Sequence, residues 1–84
     1  MTKMVYFAWV RERIGLTEEE IDIPGNVKTG ADLLAWMKGR GHNYEAALAF
    51  DNAIRIAVDH EHIDQKEDIG SPREIALFPP MTGG

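Results

Sequence analysis

Eighty-four residues, with 44% hydrophobic and 27% charged side chains, describe one small globular domain and not two. The formal charge is -5 and the nine Lys and Arg are scattered, so the chain lacks the concentrated basic face of a nucleic-acid binder. There is no cysteine, which excludes disulfides, thiolate metal sites and a thiol nucleophile, and no stretch approaches the ~20 apolar residues of a membrane span.

The chain starts MTKMVYFAWVRERIG, with one Lys before an apolar run. Charges follow that run and no small-residue cleavage site does, so it reads as a first strand and not as a signal peptide. Together with the missing cysteine, this suggests a cytoplasmic protein. Met4 to Val10, rich in aromatic and β-branched residues, is predicted as a strand covered on both faces. Gly15 then marks a turn. In EEEIDIPG the side chains alternate, with Ile21 and Ile23 on one face and Glu20 and Asp22 on the other, which predicts a half-buried strand ended by Pro24-Gly25. The two strands should pair as an antiparallel hairpin.

A helix follows. Thr29 and Asp32 stand three apart as an approximate capping box, and Leu33, Leu34 and Met37 form one apolar stripe. Gly39 and Gly41 supply the stop, with Lys38 and Arg40 placed well for the negative end of the helix dipole. Asn43 is expected to cap a short second helix, YEAALAF. AIRIAVD alternates again, placing Ile54, Ile56 and Val58 on one face. HEHIDQKEDIGSP is polar and reads as turns, anchored by Ile63 and Ile69. EIALF is the last strand, with Ile75 and Leu77 on the core face and Phe78 opposite. Pro79 and Pro80 end it, because neither can donate to a ladder.

The order β-β-α-(α)-β-β predicts an α+β, β-grasp (ubiquitin-like) domain over residues 1-84. Its mixed sheet of four to five strands packs on one main helix, and the first and last strands pair in parallel at the centre. Residues 78-84 form an extended tail. The prolines stiffen it as it leaves the sheet, and Gly83 and Gly84 make a narrow, flexible end suited to threading into a deep channel.

Across nearly all of its length the sequence resembles the small subunits of molybdopterin synthase, a family of ubiquitin-like sulfur carriers. The resemblance is carried by VYFAWVRERIG, the LL of the helix, IAVD and EIALFPPMTGG, and most specifically by the pattern FPP-x-[ST]-GG. It implies that a ubiquitin-activating-like enzyme uses ATP to adenylate the Gly84 carboxylate, with Gly83 as part of the tail. A sulfur donor protein would then convert the adenylate to a thiocarboxylate. The tail would enter the large subunit of a heterotetramer and pass sulfur to cyclic pyranopterin monophosphate in molybdenum cofactor biosynthesis, with two charged tails consumed per product.

Phe78, Pro79, Pro80, Met81, Thr82 and Arg11 are the expected partner-binding residues. The resemblance implies no bound cofactor, no metal, no nucleic acid and no membrane, and the chain carries no catalytic constellation of its own. One departure stands out. The family's acidic, glycine-containing turn before the last strand is here GSPRE, Gly70 to Glu74.

Other readings are weaker. His60 and His62 in DHEH would share a face on a strand, but no third ligand is evident and a solvated turn is the simpler expectation. His42 is expected at the surface, and Trp9 and Trp36 are expected to pack and not to line a ligand pocket. Two rival functions share the fold: a sulfur carrier for thiamine thiazole synthesis or tRNA thiolation, and a β-grasp interaction module without tail chemistry.

Overall fold

The fold is taken from a computed structural model that describes residues 1-80; Met81, Thr82, Gly83 and Gly84 lie outside the described residues. The strands are β1 (Thr2–Tyr6), β2 (Glu18–Ile21), β3 (Arg55–Val58), β4 (Glu61–Ile63) and β5 (Glu74–Phe78). The helices are α1 (Ala8–Ile14), α2 (Gly30–Lys38) and α3 (His42–Ala47), followed by a 3-10 turn, Asp51–Ala53. The five strands form one mixed sheet in the order β2-β1-β5-β3-β4. β1 and β5 pair in parallel at its centre, Lys3 beside Glu74 and Tyr6 beside Leu77. This is the β-grasp arrangement expected from the sequence.

Alternation along the strands divides the sheet into two faces. Met4, Tyr6, Ile21, Ile56, Ile75 and Leu77 point to the helices and join Val10, Ile14, Leu33, Leu34, Met37, Ala47 and Leu48 in the core. The predicted stripe of α2 is thus buried as a unit. The capping box is present in full: the Asp32 amide donates to Thr29 Oγ1 at 3.1 Å, and the Thr29 amide donates to the Asp32 carboxylate at 3.2 Å. These bonds satisfy two of the helix's orphan amides and hold the Asp32 carboxyl below the usual carboxylate range.

Four expectations need correction. The apolar run Met4 to Val10 is not one strand, because the chain leaves the sheet at Tyr6 and Trp9, Val10 and Arg11 lie in α1. Ala8 adopts a left-handed backbone, φ 51°, which turns the chain out of the sheet and into the helix. β1 and β2 still pair antiparallel, but through a helix and not a tight hairpin. Asn43 does not cap α3; Gly41 holds that position, and Asn43 Nδ2 donates to the carbonyl of Ile14 at 2.8 Å, tying α3 to the end of α1. Finally, Glu61–Ile63 is an edge strand and not part of a turn.

Gly30 opens α2 in a tight place. A Cβ there would lie 2.8 Å from Ile56 Cδ1 and 3.1 Å from Gln65 Cα. The Gly30 and Ala31 amides donate to the carbonyls of Glu67 and Gln65, so neither the helix nor the loop can easily withdraw. Gly30→Ala is expected to destabilise the domain by about 1–3 kcal/mol, as overpacking does. Urea denaturation checks this, and an unchanged midpoint would show that the loop yields.

Candidate functional site

β5 runs from the GSPRE turn at one pole to Phe78, Pro79 and Pro80 at the other, so the last strand delivers the chain to one end of the sheet without a linker. That end is also where β1 stops and α1 begins, because β1 and β5 are parallel. The Phe7 amide donates to the Leu77 carbonyl at 3.2 Å, extending the pairing one residue past β1.

The face of the sheet away from the helices carries Lys3 and Val5 of β1, Arg55 and Ala57 of β3, His62 of β4, and Glu74, Ala76 and Phe78 of β5. Its middle is a flat lane of small apolar side chains: Val5, Ala76 and Ala57. Phe78 lies at the tail end of this lane, with Arg55 beside it in register. Two rings pack on Phe78 edge-on, Phe7 with centroids 6.5 Å apart and His62 at 5.2 Å. Phe7 remains 46% exposed. Phe78 is half-buried and not largely exposed as its strand phase alone suggests, because these two rings cover part of it. The phase itself holds: Ile75 and Leu77 are fully buried on the opposite face.

Arg11 is exposed on α1, just after the strand end, and no ion pair engages it among the described residues. Pro79 and Pro80 are half-buried. The expected contributions of Met81, Thr82, Gly83 and Gly84 lie outside the described residues. Phe7 and His62 are the members of the cluster that the sequence does not connect with Phe78. Their connection to Phe78 depends on long-range strand pairing that no local motif announces.

The remaining candidates take structural places. Trp9 packs partly on the core with the Arg13 guanidinium 4.7 Å above its ring, and Trp36 packs at the edge of α2 with Arg40 at 5.7 Å. His42 is exposed at the start of α3. Asp59 and His60 form the two-residue turn between β3 and β4, both with positive φ. His60 Nε2 lies 3.8 Å from the Glu74 carboxylate, and the Asp59 carboxylate accepts from the amides of Arg73 and Glu74. Among the described residues no three His, Asp or Glu side chains converge as a metal site. The unusual GSPRE turn sits at the pole away from the tail, where the Thr2 hydroxyl donates to the Pro72 carbonyl at 3.0 Å.

On the helix side, Glu19 of β2 binds three partners. The hydroxyls of Tyr6 and Tyr44 each donate to its Oε2 at 2.6 Å, and Arg40 donates to both carboxylate oxygens at 3.1 and 3.3 Å. Burial works to raise the Glu19 pKa, but the hydrogen bonds from Tyr44, Tyr6 and Arg40 outweigh it and hold the carboxyl below its ordinary value. Burial, then the bond to Glu19, pushes the Tyr6 phenol well above its usual range. This network fastens the edge strand to the helices.

A β-grasp sheet with one bare face, and a last strand that runs straight out of it beside an aromatic cluster, defines a ubiquitin-like domain. The chain belongs to the ThiS family, whose profile matches residues 4–84. It is 34% identical to a molybdopterin synthase sulfur carrier subunit of Dictyostelium discoideum, over 98% of this chain and 94% of that one. It is 33% identical to the protein of the same description in Escherichia coli strain K12, over the full length of both. Among solved structures, it is similar to molybdopterin converting factor subunit 1 of Pyrococcus furiosus, with TM-score 0.72 and 27% identity over 95% of this chain and 97% of that one. It is also similar to SAMP1 of Haloferax volcanii, with TM-score 0.70 and 25% identity over 99% and 98% of the two chains. No helix among the described residues is long and apolar enough to cross a membrane.

Proposed function

We propose that this chain is the sulfur carrier subunit of a molybdopterin synthase and works in the cytoplasm. The observation that carries the reading is the exit of the chain from the central strand at Phe78-Pro79-Pro80, beside a bare sheet face that a partner can cover. The family membership and the named relatives support it. A carboxylate is a poor electrophile, so an activating enzyme must first join the Gly84 carboxylate to AMP, releasing pyrophosphate from ATP. A donor supplying sulfur at the sulfide level displaces AMP and leaves a thiocarboxylate. The tail then delivers this nucleophile to cyclic pyranopterin monophosphate in the large subunit. The carrier's own contribution is positioning: it docks by its sheet face and holds the reacting atom at the end of a narrow arm.

Incubating the full chain with an activating enzyme, ATP and a sulfur source should raise its intact mass by one sulfur-for-oxygen exchange. The charged carrier should then convert the pterin precursor when mixed with a large subunit. A chain that gains the sulfur but serves only thiazole synthesis or tRNA thiolation would shift the assignment to the rival carriers. A chain that binds partners with no change of mass under any of these conditions would be an interaction module.

Phe78 is the expected aromatic anchor of docking. Phe78→Ala should weaken binding to the large subunit by about 2 kcal/mol or more, the scale of an interface hot spot. The loss of folding stability should be smaller, since the ring is only half-buried. Calorimetric titration of the folded variant decides this, and unaltered affinity would remove Phe78 from the interface.

A further inference from the structure

One histidine of the bare sheet face touches the aromatic cluster. His62 stands on the edge strand β4, opposite Ala57 of β3, with its ring packed edge-on against Phe78 at 5.2 Å. No carboxylate is recorded in an ion pair with it; the histidine ion pair among the described residues belongs to His60 and Glu74. The charged groups around it are named readily. β3 presents Arg55, a cation beside Phe78, and β5 presents Glu74, two residues farther from the tail and engaged with His60. His60 lies in the turn before its strand and Asp64 just after it, and Glu61 points to the other face. The Asp64 carboxylate accepts from the Lys66 amide at 3.1 Å.

We propose that His62 sets the pH range in which this face accepts its partner, with the neutral imidazole as the docking form. The proposal rests on the docking role assigned above to the face. The partner surface that fits the lane of Val5, Ala57 and Ala76 is apolar, because these side chains offer it no hydrogen bond. Covering the lane also removes water from His62. An imidazolium losing that water needs acceptors for two N–H groups, and its strand pairs with β3, which carries the cation Arg55 on the same face, so its burial is costly. A neutral imidazole packed on Phe78 needs far less. Docking therefore favours release of a proton, and affinity falls as pH drops through the range in which histidines become charged.

The test is calorimetric titration of the large subunit with the full-length carrier between pH 7.5 and 5.5, for the parent, His62→Leu and His60→Gln. The parent is expected to lose affinity roughly tenfold over this interval, because only the neutral form docks. His62→Leu should show little change and bind at least as tightly at pH 5.5, and His60→Gln should keep the parent's slope. In two buffers of different ionisation heat, the parent should release a proton on binding at pH 6 and His62→Leu should not. Equal slopes for parent and His62→Leu, or tighter parent binding at low pH, would overturn the role of His62 and leave docking itself intact. No binding by the parent at any pH would overturn the docking reading and the proposal with it.

Discussion

Deleting Gly84 is expected to abolish thiocarboxylate formation and sulfur transfer while the fold survives. Among the described residues the core of β1, β5, α1 and α2 is formed between Met4 and Leu77, and β5 is complete at Phe78. Far-ultraviolet circular dichroism and the urea midpoint of the shortened chain should therefore match the parent. Gly83→Val should fail as well, because a β-branched side chain restricts the backbone and widens the segment that a channel must admit. Adding one Ala after Gly84 displaces the carboxylate by ~3.3–3.6 Å, the advance of one extended residue. Misplacement by about 1 Å already costs enzymes about a hundredfold in rate, so activation should be blocked. Intact mass after incubation with the activating enzyme reads all three variants. Normal thiocarboxylation of the Ala-extended chain at its new end would show that the glycines are not read in register.

Replacing Glu19 with Ala should cost the domain about 3 kcal/mol, in the range measured when one partner of a buried ionic group is removed. Tyr6 is fully buried, and without Glu19 its hydroxyl loses its acceptor. Arg40 would lose its carboxylate while its side chain is only 26% exposed. The figure sits at the low end because Arg40 keeps some contact with water. For a small domain this is a large share of total stability.

A pH dependence follows from the same group. The folded Glu19 carboxyl is held below its unfolded value, so its contribution is present above the ordinary carboxylate pKa and is lost as pH falls through the lower folded value. Urea midpoints measured from neutral pH downward should fall in the parent, and the fall should be shallower in Glu19→Gln. Parallel curves would assign the acid sensitivity to other carboxylates.

The sequence made α2 and β5 legible because each carries its own local signal. Thr29 and Asp32 mark a helix start, Leu33, Leu34 and Met37 share a face, and Pro79-Pro80 end a strand of clear period two. α1 was hidden because it is only seven residues long and shares its composition with β1. Tyr6 ends one period and Val10 and Ile14, four apart, begin another, but the aromatic run Tyr6-Phe7-Ala8-Trp9 masks the change. β4 was hidden because Glu-His-Ile has no strong strand preference, and its pairing with β3 supplies what its sequence lacks. The tail pattern FPP-x-[ST]-GG was readable as a motif. The aromatic cluster was not, since Phe7, His62 and Phe78 meet only when three separate strand pairings have formed. Glu19 carries no local signal within Glu18-Glu19-Glu20, and only the approach of Tyr6, Tyr44 and Arg40 singles it out.

The parallel pairing of β1 with β5 has a consequence during synthesis. Lys3 waits for Glu74, and Tyr6 for Leu77, so the middle of the sheet has no partner until nearly the whole chain has left the ribosome. Contacts this distant along the chain close late, because the entropy of closing a long loop is lost before they form. The nascent chain therefore cannot display the bare face, or the cluster of Phe7, His62 and Phe78, in advance of its own last strand. An activating enzyme that recognises that face meets only finished molecules. On the carrier role proposed above, truncated products of aborted translation, lacking β5, would be left uncharged and exposed to proteolysis, and sulfur would be loaded only onto chains able to deliver it.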